Sequence, residues 1–135
     1  MKKIFLITIV FAAFSCSSKK PQTGVVVTPQ AAVLTGISTD STYGLTPENP
    51  VESGGGPSGE RAYLDALAGP NGEKIKYYRE GSCCPVKSEN GMMGMAMLDN
   101  YSVSYSGLKK PVSIYINMYD KGVLKAPVGF TVRKF

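Results

Sequence analysis

The chain has 135 residues, with 15 basic and 10 acidic side chains, a net charge of +5 and a hydrophobic fraction of 43%. It contains no histidine, which excludes histidine acid–base catalysis, Ser–His and Cys–His nucleophile pairs, and histidine-ligated zinc. The positive charge is scattered, and basic doublets such as Lys109–Lys110 lack interleaved aromatic residues, so no nucleic-acid partner is predicted.

Residues 1–15 are typical of a secretory signal peptide. A basic start is followed by an apolar run over residues 4–14, broken only by Thr8, and then by the small residue Ser15. The run is too short for a permanent membrane helix, which needs about 20 apolar residues. Cys16, directly after Ser15, resembles the lipobox cysteine of bacterial lipoproteins. That resemblance implies cleavage before Cys16, a diacylglycerol thioether on its sulfur and an N-linked acyl chain such as palmitate.

A protein anchored in this way is expected in the cell envelope, most simply at the outer membrane. Two or three acyl chains on Cys16 are enough for stable attachment to a membrane. Loss of Lys2 and Lys3 with the signal leaves 13 basic against 10 acidic side chains, a net charge of +3. The alternative interpretation is an ordinary cleaved signal followed by a free cysteine.

Residues 16–58 have the composition of a disordered tether. Pro, Gly, Ser and Thr make up more than half of this stretch, which ends in a Ser-Gly-Gly-Gly-Pro-Ser run. Such a composition buries too little apolar surface to offset the entropy of the chain. Apolar residues between positions 25 and 34 are the one exception, and they allow a short strand or an apolar patch.

A short motif within the tether predicts a modification. Asp40-Ser41-Thr42 resembles the O-glycosylation motif of secreted Bacteroidota proteins. The resemblance implies a glycan on Ser41 or Thr42, which a mass shift of the peptide containing them would reveal.

Residues 59–135 are predicted to form a small α+β domain, with one short helix packed on an antiparallel sheet of about three to five strands. The helix is expected over residues 60–68, with Ser58 as its N-cap and Gly69–Pro70 as its stop. Its apolar stripe at helical spacing consists of Tyr63, Leu64, Leu67 and Ala68.

Alternation of apolar and polar residues predicts the strands. The clearest pair covers residues 98–106 and 112–119, joined by a loop of ordinary hairpin length. Shorter extended runs are expected at residues 74–79, 83–86 and 130–133, with a polar loop at 87–94. The pattern predicts one covered and one solvated sheet face. The solvated face is rich in tyrosine and is a candidate interaction surface, formed by Tyr115, Tyr119 and also Tyr78.

The two cysteines of this domain are adjacent, at Cys83 and Cys84. Across a trans peptide their Cα atoms lie about 3.8 Å apart, below the roughly 4.4–6.8 Å of an unstrained disulfide. In a regular strand their side chains also point to opposite faces. Three interpretations stay open: two structural thiols, a distorted vicinal disulfide that an oxidising envelope favours, and a reactive-thiol or metal site.

Four methionines follow the cysteine pair closely, namely Met92, Met93, Met95 and Met97. Thioethers and thiolates are soft ligands that suit Cu(I), so this loop, together with the cysteines, is a candidate copper site. In the alternative interpretation, methionine fills irregular gaps in the core. The alternation of Met95 and Met97 with apolar residues is also typical of core positions.

The acidic residues do not predict a paired-carboxylate active site. Those considered for such a site are spread through turns and strand ends: Asp65, Glu73, Glu80, Glu89, Asp99 and Asp120. No two of them have a spacing that requires a shared site. Glu60 is assigned to the start of the helix, where a negative charge is favourable. No cofactor is predicted.

Five motifs stand in order along the domain, at residues 69–73 (GPNGE), 81–84 (GSCC), 107–112 (GLKKPV), 115–120 (YINMYD) and 126–130 (APVGF). Together they resemble a family of small Bacteroidota lipoproteins without an established function, over residues 54–132. Members often carry the name 2-dehydro-3-deoxyphosphooctonate aldolase. The enzyme of that name is a (β/α)₈ barrel of about 200 residues or more, which residues 59–135 are too short to form.

These observations predict a lipid-anchored envelope protein that acts as a non-enzymatic binding module. Its partners would be the membrane, through the anchor, and an unknown envelope protein or ligand. The tyrosine-bearing sheet face and the hairpin loop are the expected contact surface. A different class of function is a thiol-redox or Cu(I)-handling protein that uses Cys83, Cys84 and residues 92–97. Aldolase activity is the least supported of the three.

Overall fold

The computed structural model describes residues 31–135, so the signal peptide at residues 1–15 and the lipidation site Cys16 lie outside the described residues. The predicted α+β class is confirmed. In chain order, the elements are β1 (Val51–Glu52), α1 (Gly56–Asp65), β2 (Leu67–Ala68), β3 (Lys76–Met92), β4 (Met95–Ser104), β5 (Val112–Asn117) and β6 (Thr131–Val132).

Four of the strands form one sheet in the order β1-β5-β4-β3. The strands β3, β4 and β5 are antiparallel neighbours, as predicted. β1, however, runs parallel to β5, with Val51 opposite Ile116, so the prediction of a purely antiparallel sheet is wrong at this edge. Only two residues of β1 pair, too few to produce a strand pattern in the sequence, although Val51 is fully buried. β2 and β6 form a separate two-stranded ladder.

The core lies between α1 and the inner face of the sheet. Tyr63 and Leu64 on the helix are fully buried, and Leu67 in β2 continues the same side, as the apolar stripe predicts. They belong to one cluster with inner-face residues of β4 and β5, which are Tyr101, Val103, Ile114 and Ile116. Burial of each such aliphatic side chain contributes about 1.5–3 kcal/mol.

The helix begins at Gly56, earlier than predicted. Its N-cap is Gly55 with a φ of +70°, and no side chain caps the first turn. Ser58 therefore lies inside the helix rather than at its cap. Pro57 is compatible with this early start because the first turn of a helix has no use for the missing N–H.

Residues 31–58 are part of the folded unit. Ala32 N donates a hydrogen bond to the carbonyl of Ala62 in α1 at 2.9 Å, and Val51 is fully buried in the core. The prediction of a disordered tether is therefore wrong for residues 31–58, while residues 16–30 lie outside the described residues. Backbone hydrogen bonds hold much of this segment, and composition does not reveal them.

The strands β3 and β4 form a long hairpin that the sequence predicts only in part. β3 is continuous from Lys76 to Met92, where the sequence predicts two short runs and a polar loop. Its pairing with β4 is interrupted by register shifts next to Gly81, at Cys84, and between Lys87 and Met92. β3 is an edge strand, and bulges are common at sheet edges because they discourage pairing with other chains.

Gly44 offers a test of whether residues 31–58 are packed in solution. Its φ is +73°, and an added Cβ would lie 2.9 Å from Cγ2 of Val51. We expect Gly44→Ala to lower the free energy of unfolding by about 2 kcal/mol or more, because overpacking adds to backbone strain. Gly36→Ala is the control, since Gly36 also has a positive φ of +136° but nothing lies within 4 Å of an added Cβ. Equal urea midpoints for the two variants and the parent would contradict this packing.

Candidate functional site

A bulge in β3 assembles a polar cluster on the inner face of the sheet. Arg79 lies opposite Tyr101, and Ser82 lies opposite Asp99, so residues three apart in β3 face residues two apart in β4. In a regular strand, residues three apart point to opposite faces. The extra residue of the bulge, next to Gly81 with its φ of +150°, places the Arg79 and Ser82 side chains on the same face.

Asp99 is a buried carboxylate bound by Arg79 and Ser82. Arg79 donates from Nε to Oδ2 at 2.5 Å and from Nη2 to Oδ1 at 2.8 Å, which makes a bidentate ion pair. Ser82 Oγ donates to Oδ1 at 2.8 Å. The Asp99 side chain is 3% exposed and that of Arg79 is 47% exposed. Burial raises the pKa of Asp99, but the hydrogen bonds from Arg79 and Ser82 outweigh it and lower the pKa below its ordinary value.

Glu60 on α1 lies close to this carboxylate and is fully buried. Its Oε2 accepts a hydrogen bond from Tyr101 Oη at 2.9 Å. Burial raises the pKa of Glu60 to about 7, and the nearby charge of Asp99 acts in the same direction. Glu60 is therefore largely protonated in mildly acidic solution, beside an aspartate that stays ionised.

Glu60 and Asp99 share a site, a pairing outside the six acids weighed in the sequence, because Glu60 is assigned there to the start of the helix. The sequence carries a signal for this, since Glu60 precedes Tyr63, Leu64 and Leu67 at the spacing of the buried helix face. Neither carboxyl is open to solvent, with exposures of 0% and 3%. A substrate would have to displace Arg79 to reach them, so the cluster serves first to fasten α1 to β3 and β4.

Glu60 is expected to make stability depend on pH. Because its folded pKa is raised from 4.5 to about 7, its contribution is fully present below pH 4.5 and is lost as the pH rises through 7. Glu60→Gln keeps an acceptor for Tyr101 and removes the charge. We expect the variant to be more stable than the parent at about pH 8, by roughly 1–3 kcal/mol in urea denaturation.

The control for this experiment is the exposed residue Glu89. Glu89→Gln should follow the parent at every pH, because its side chain is already in water. Asp99 stays ionised across the mildly acidic to mildly alkaline range, because its pKa is lowered. A parent protein whose stability is flat over that range would contradict the buried, proton-holding state of Glu60.

Cys83 and Cys84 form a vicinal disulfide, with Cα atoms 3.7 Å apart. Of the three interpretations of the cysteine pair, the structure has the vicinal disulfide. Cys84 is the extra residue of a further bulge, since Cys83 lies opposite Leu98 and Pro85 lies opposite Met97. The φ of Cys84 is +51°, a left-handed conformation that non-glycine residues seldom adopt. Pro85 lacks an N–H, which an edge strand tolerates.

The disulfide changes what the cysteines can bind. The thiolate is the form of cysteine that ligates metals and acts as a nucleophile, and a disulfide has none. A copper site that includes Cys83 and Cys84 therefore requires reduction of the pair first. Both residues are partly exposed, so a small reductant can approach them.

The four methionines lie at the end of the β3–β4 hairpin, in solvent. Their exposed fractions are 83% for Met92, 96% for Met93, 42% for Met95 and 45% for Met97. The interpretation of these side chains as core-filling residues is therefore wrong. The residues that alternate with them in β4, Ala96 and Leu98, are the buried ones.

The predicted tyrosine residues differ in exposure. Tyr78 is 70% exposed and Tyr119 is 40% exposed, whereas Tyr115 is partly buried. Tyr78 in β3 lies opposite Ser102 in β4, and Tyr115 in β5 lies opposite Asn100 in β4. Because Tyr101 between them points into the core, these side chains share the outer face of the sheet.

Two open clefts lie outside the polar cluster of Glu60 and Asp99, and Met95 lines the second of them. One, of about 470 Å³, lies between the turn at residues 70–74 and residues 131–134. The other, of about 700 Å³, lies between the end of the β3–β4 hairpin and Asp120. Asn90 Nδ2 donates to Asp120 Oδ1 at 2.8 Å beside it, and this hydrogen bond lowers the pKa of Asp120. Both clefts are lined by side chains of mixed charge, which indicate no single ligand chemistry.

Ser41 and Thr42 are both exposed. Thr42 donates to Asp40 Oδ1 from its backbone N at 2.8 Å and from Oγ1 at 2.7 Å, which fixes the turn. Asn49 Nδ2 binds the other Asp40 oxygen at 2.9 Å. Glycosylation here stays a prediction.

Within residues 31–135, no three side chains of the types His, Cys, Asp or Glu converge as a metal site. In the same part of the chain, no helix is long and apolar enough to cross a membrane. No protein-family model, curated protein or solved structure matches the chain. The resemblance to small Bacteroidota lipoproteins therefore stays a prediction.

Proposed function

We propose that the protein is a non-enzymatic binding module, held at the cell envelope by a lipid on Cys16. The observation that carries the proposal is the exposure of Tyr78, with 70% of its surface open to solvent on the sheet face opposite α1. Tyrosine is enriched at protein interfaces, because its ring is apolar while its hydroxyl forms hydrogen bonds.

The proposed contact surface is the outer tyrosine face, defined by Tyr78, Asn100, Ser102, Ser113 and Tyr115. In register, Ser102 lies between Tyr78 and Ser113, and Asn100 lies beside Tyr115. Strands are about 4.8 Å apart and residues on one face repeat every 7 Å or so, which places the two tyrosines roughly 12 Å apart. Two aromatic rings thus flank a shelf of small polar side chains, with Tyr119 just beyond the end of β5.

The charged groups of the molecule support binding rather than chemistry at this face. The acid whose pKa is raised most into the neutral range, Glu60, is fully buried on the opposite side of the sheet. Asp99 is neutralised there by Arg79. The outer tyrosine face itself presents hydroxyl, amide and aromatic groups, and Asn100 Nδ2 donates a hydrogen bond to the carboxylate of Glu80 at 2.9 Å. Aromatic groups with polar groups beside them are typical of binding surfaces.

Alanine substitutions at the tyrosines test the proposal. We expect Tyr78→Ala and Tyr115→Ala to weaken capture of the partner from solubilised envelopes by about tenfold or more, since buried interface tyrosines often contribute over 1 kcal/mol. Tyr119→Ala should weaken it less, because Tyr119 lies at the margin of the face. Quantitative affinity capture measures the retained partner, and circular dichroism checks the fold.

The control for that experiment is Phe135→Ala. Phe135 is an aromatic residue that is 88% exposed and lies outside the strands of the four-stranded sheet. Its removal should leave capture unchanged. If every captured protein survives all three tyrosine substitutions, the proposed contact surface is wrong.

A thiol-redox function is the second candidate, and the vicinal disulfide favours it. A thiolate of a reduced dithiol protein would attack one sulfur of the pair and release the other as a thiolate. The second thiol of the donor would then break the mixed disulfide. The donor ends as a disulfide, and Cys83 and Cys84 end as two thiols.

Alkylation distinguishes the bonded pair from two free thiols. In lipidated protein kept without reductant, we expect no alkylation of Cys83 or Cys84, and alkylation of both after treatment with dithiothreitol. Intact mass spectrometry measures the difference, with Cys83→Ser as the control that frees Cys84 from the start. Two reactive thiols in the unreduced protein would contradict the disulfide.

A further inference from the structure

The end of the β3–β4 hairpin carries a cluster of thioethers that the outer tyrosine face does not use. The methionine tip consists of Met92, Met93, Met95 and Met97. Met92 lies opposite Met95, and directly opposed residues of antiparallel strands have Cβ atoms about 4.5–5.5 Å apart on one face. Met97 is two residues farther on the same face, at about 7 Å. Three sulfurs on flexible side chains therefore share a small area.

Packing does not account for these methionines. Methionine is among the residues most often buried, yet Met92 is 83% exposed and Met93 is 96% exposed. Met95 and Met97 alternate in β4 with Ala96 and Leu98. Of these four side chains, those of Ala96 and Leu98 are the buried ones. The side chains of the methionine tip are available to a ligand.

The backbone of the turn also favours a role for these side chains. Met93 and Gly94 form the two-residue turn, with φ values of +55° and +76°. Asn, Asp and Gly are preferred in such turns, and another residue in the left-handed region costs roughly 1–2 kcal/mol. Gly91 lies so close to the Met95 carbonyl that an added Cβ would be 2.0 Å from its oxygen. This close approach keeps the backbones of the two strands together next to the paired residues Met92 and Met95.

We propose that the methionine tip binds a soft monovalent cation, Cu(I), through the thioethers of Met92, Met95 and Met97, with Met93 beside them as a further sulfur. Thioether sulfur is a soft, neutral ligand that suits Cu(I) and not Ca²⁺ or Mg²⁺. This proposal does not depend on the function of the outer tyrosine face, because none of the residues of that face lies at the end of the β3–β4 hairpin. It requires no change in the redox state of the cysteines.

The charges around the methionine tip are mixed and do not select the metal. Lys87 lies opposite Met95, and the cleft that Met95 lines also contains Glu52, Glu89, Asp120 and Lys121. Selectivity for Cu(I) therefore depends on the soft, neutral thioethers. Because Cys83 and Cys84 are joined in a disulfide, neither supplies a thiolate that would compete with the thioethers for the metal.

The test uses Ag⁺, a redox-stable ion with the same preference for sulfur, and then Cu(I) in competition with a chelator. We expect the full mature chain to retain a single metal ion in native mass spectrometry at micromolar free metal. Met92→Leu, Met95→Leu and Met97→Leu should each weaken binding by about tenfold or more, since even the loss of an outer-shell partner costs about 10–100-fold in metal affinity. The triple variant should retain none.

Leucine preserves the apolar surface, so the same variants separate metal binding from apolar contact. Met118→Leu, outside the methionine tip, is the matched control and should bind Ag⁺ as the parent does. The ε-methyl resonances of the tip should shift on addition of Ag⁺, while that of Met118 stays in place. Absence of retained metal at micromolar concentration, or retention by the triple variant, would overturn the proposal. Capture of a partner by the outer tyrosine face should be unaffected by any of these leucine variants.

Discussion

The bidentate contact between Arg79 and Asp99 is the interaction on which the rest of the structure depends. Asp99 is 3% exposed, so removal of Arg79 would leave a buried carboxylate without its charged partner, which is destabilising. Ser82 joins this contact because β3 bulges next to Gly81, which directs Ser82 to the same face as Arg79. Glu60 approaches from α1, so polar contacts join the helix to the sheet in a domain whose apolar core is small.

The irregularities of β3 also separate the sealed interior from the surfaces available to ligands. The first bulge turns Ser82 toward the ion pair of Arg79 and Asp99, and the next accommodates the disulfide of Cys83 and Cys84. Beyond them, Gly91 closely approaches the Met95 carbonyl near the end of the hairpin, where the methionine tip lies in solvent. One edge strand therefore contributes to stability at its start and exposes the disulfide and the methionine tip toward its end. Its bulges also protect an exposed edge from pairing with other chains.

Periodicity in the sequence predicted the α+β class, the apolar side of α1 and the pairing of β4 with β5, because each depends on local patterns of burial. It could not predict the packing of residues 31–58, which depends on backbone hydrogen bonds to distant residues. It placed Met95 and Met97 on one face, but alternation does not tell which face of a strand is covered. The sequence explains Glu60 equally well by the favourable charge at the start of a helix, so its place on the buried stripe does not by itself predict its burial.

The protonation state of Glu60 is the most direct test of the sealed polar cluster at the centre of this fold. Carbon-detected NMR of the side-chain carboxyl measures the pKa of Glu60 in the folded protein. A midpoint near 7, as burial beside the ionised Asp99 requires, is the expected result. A midpoint at the ordinary value of 4.5 would show that the carboxyl is in water, and would contradict the contact by which α1 is held to the sheet.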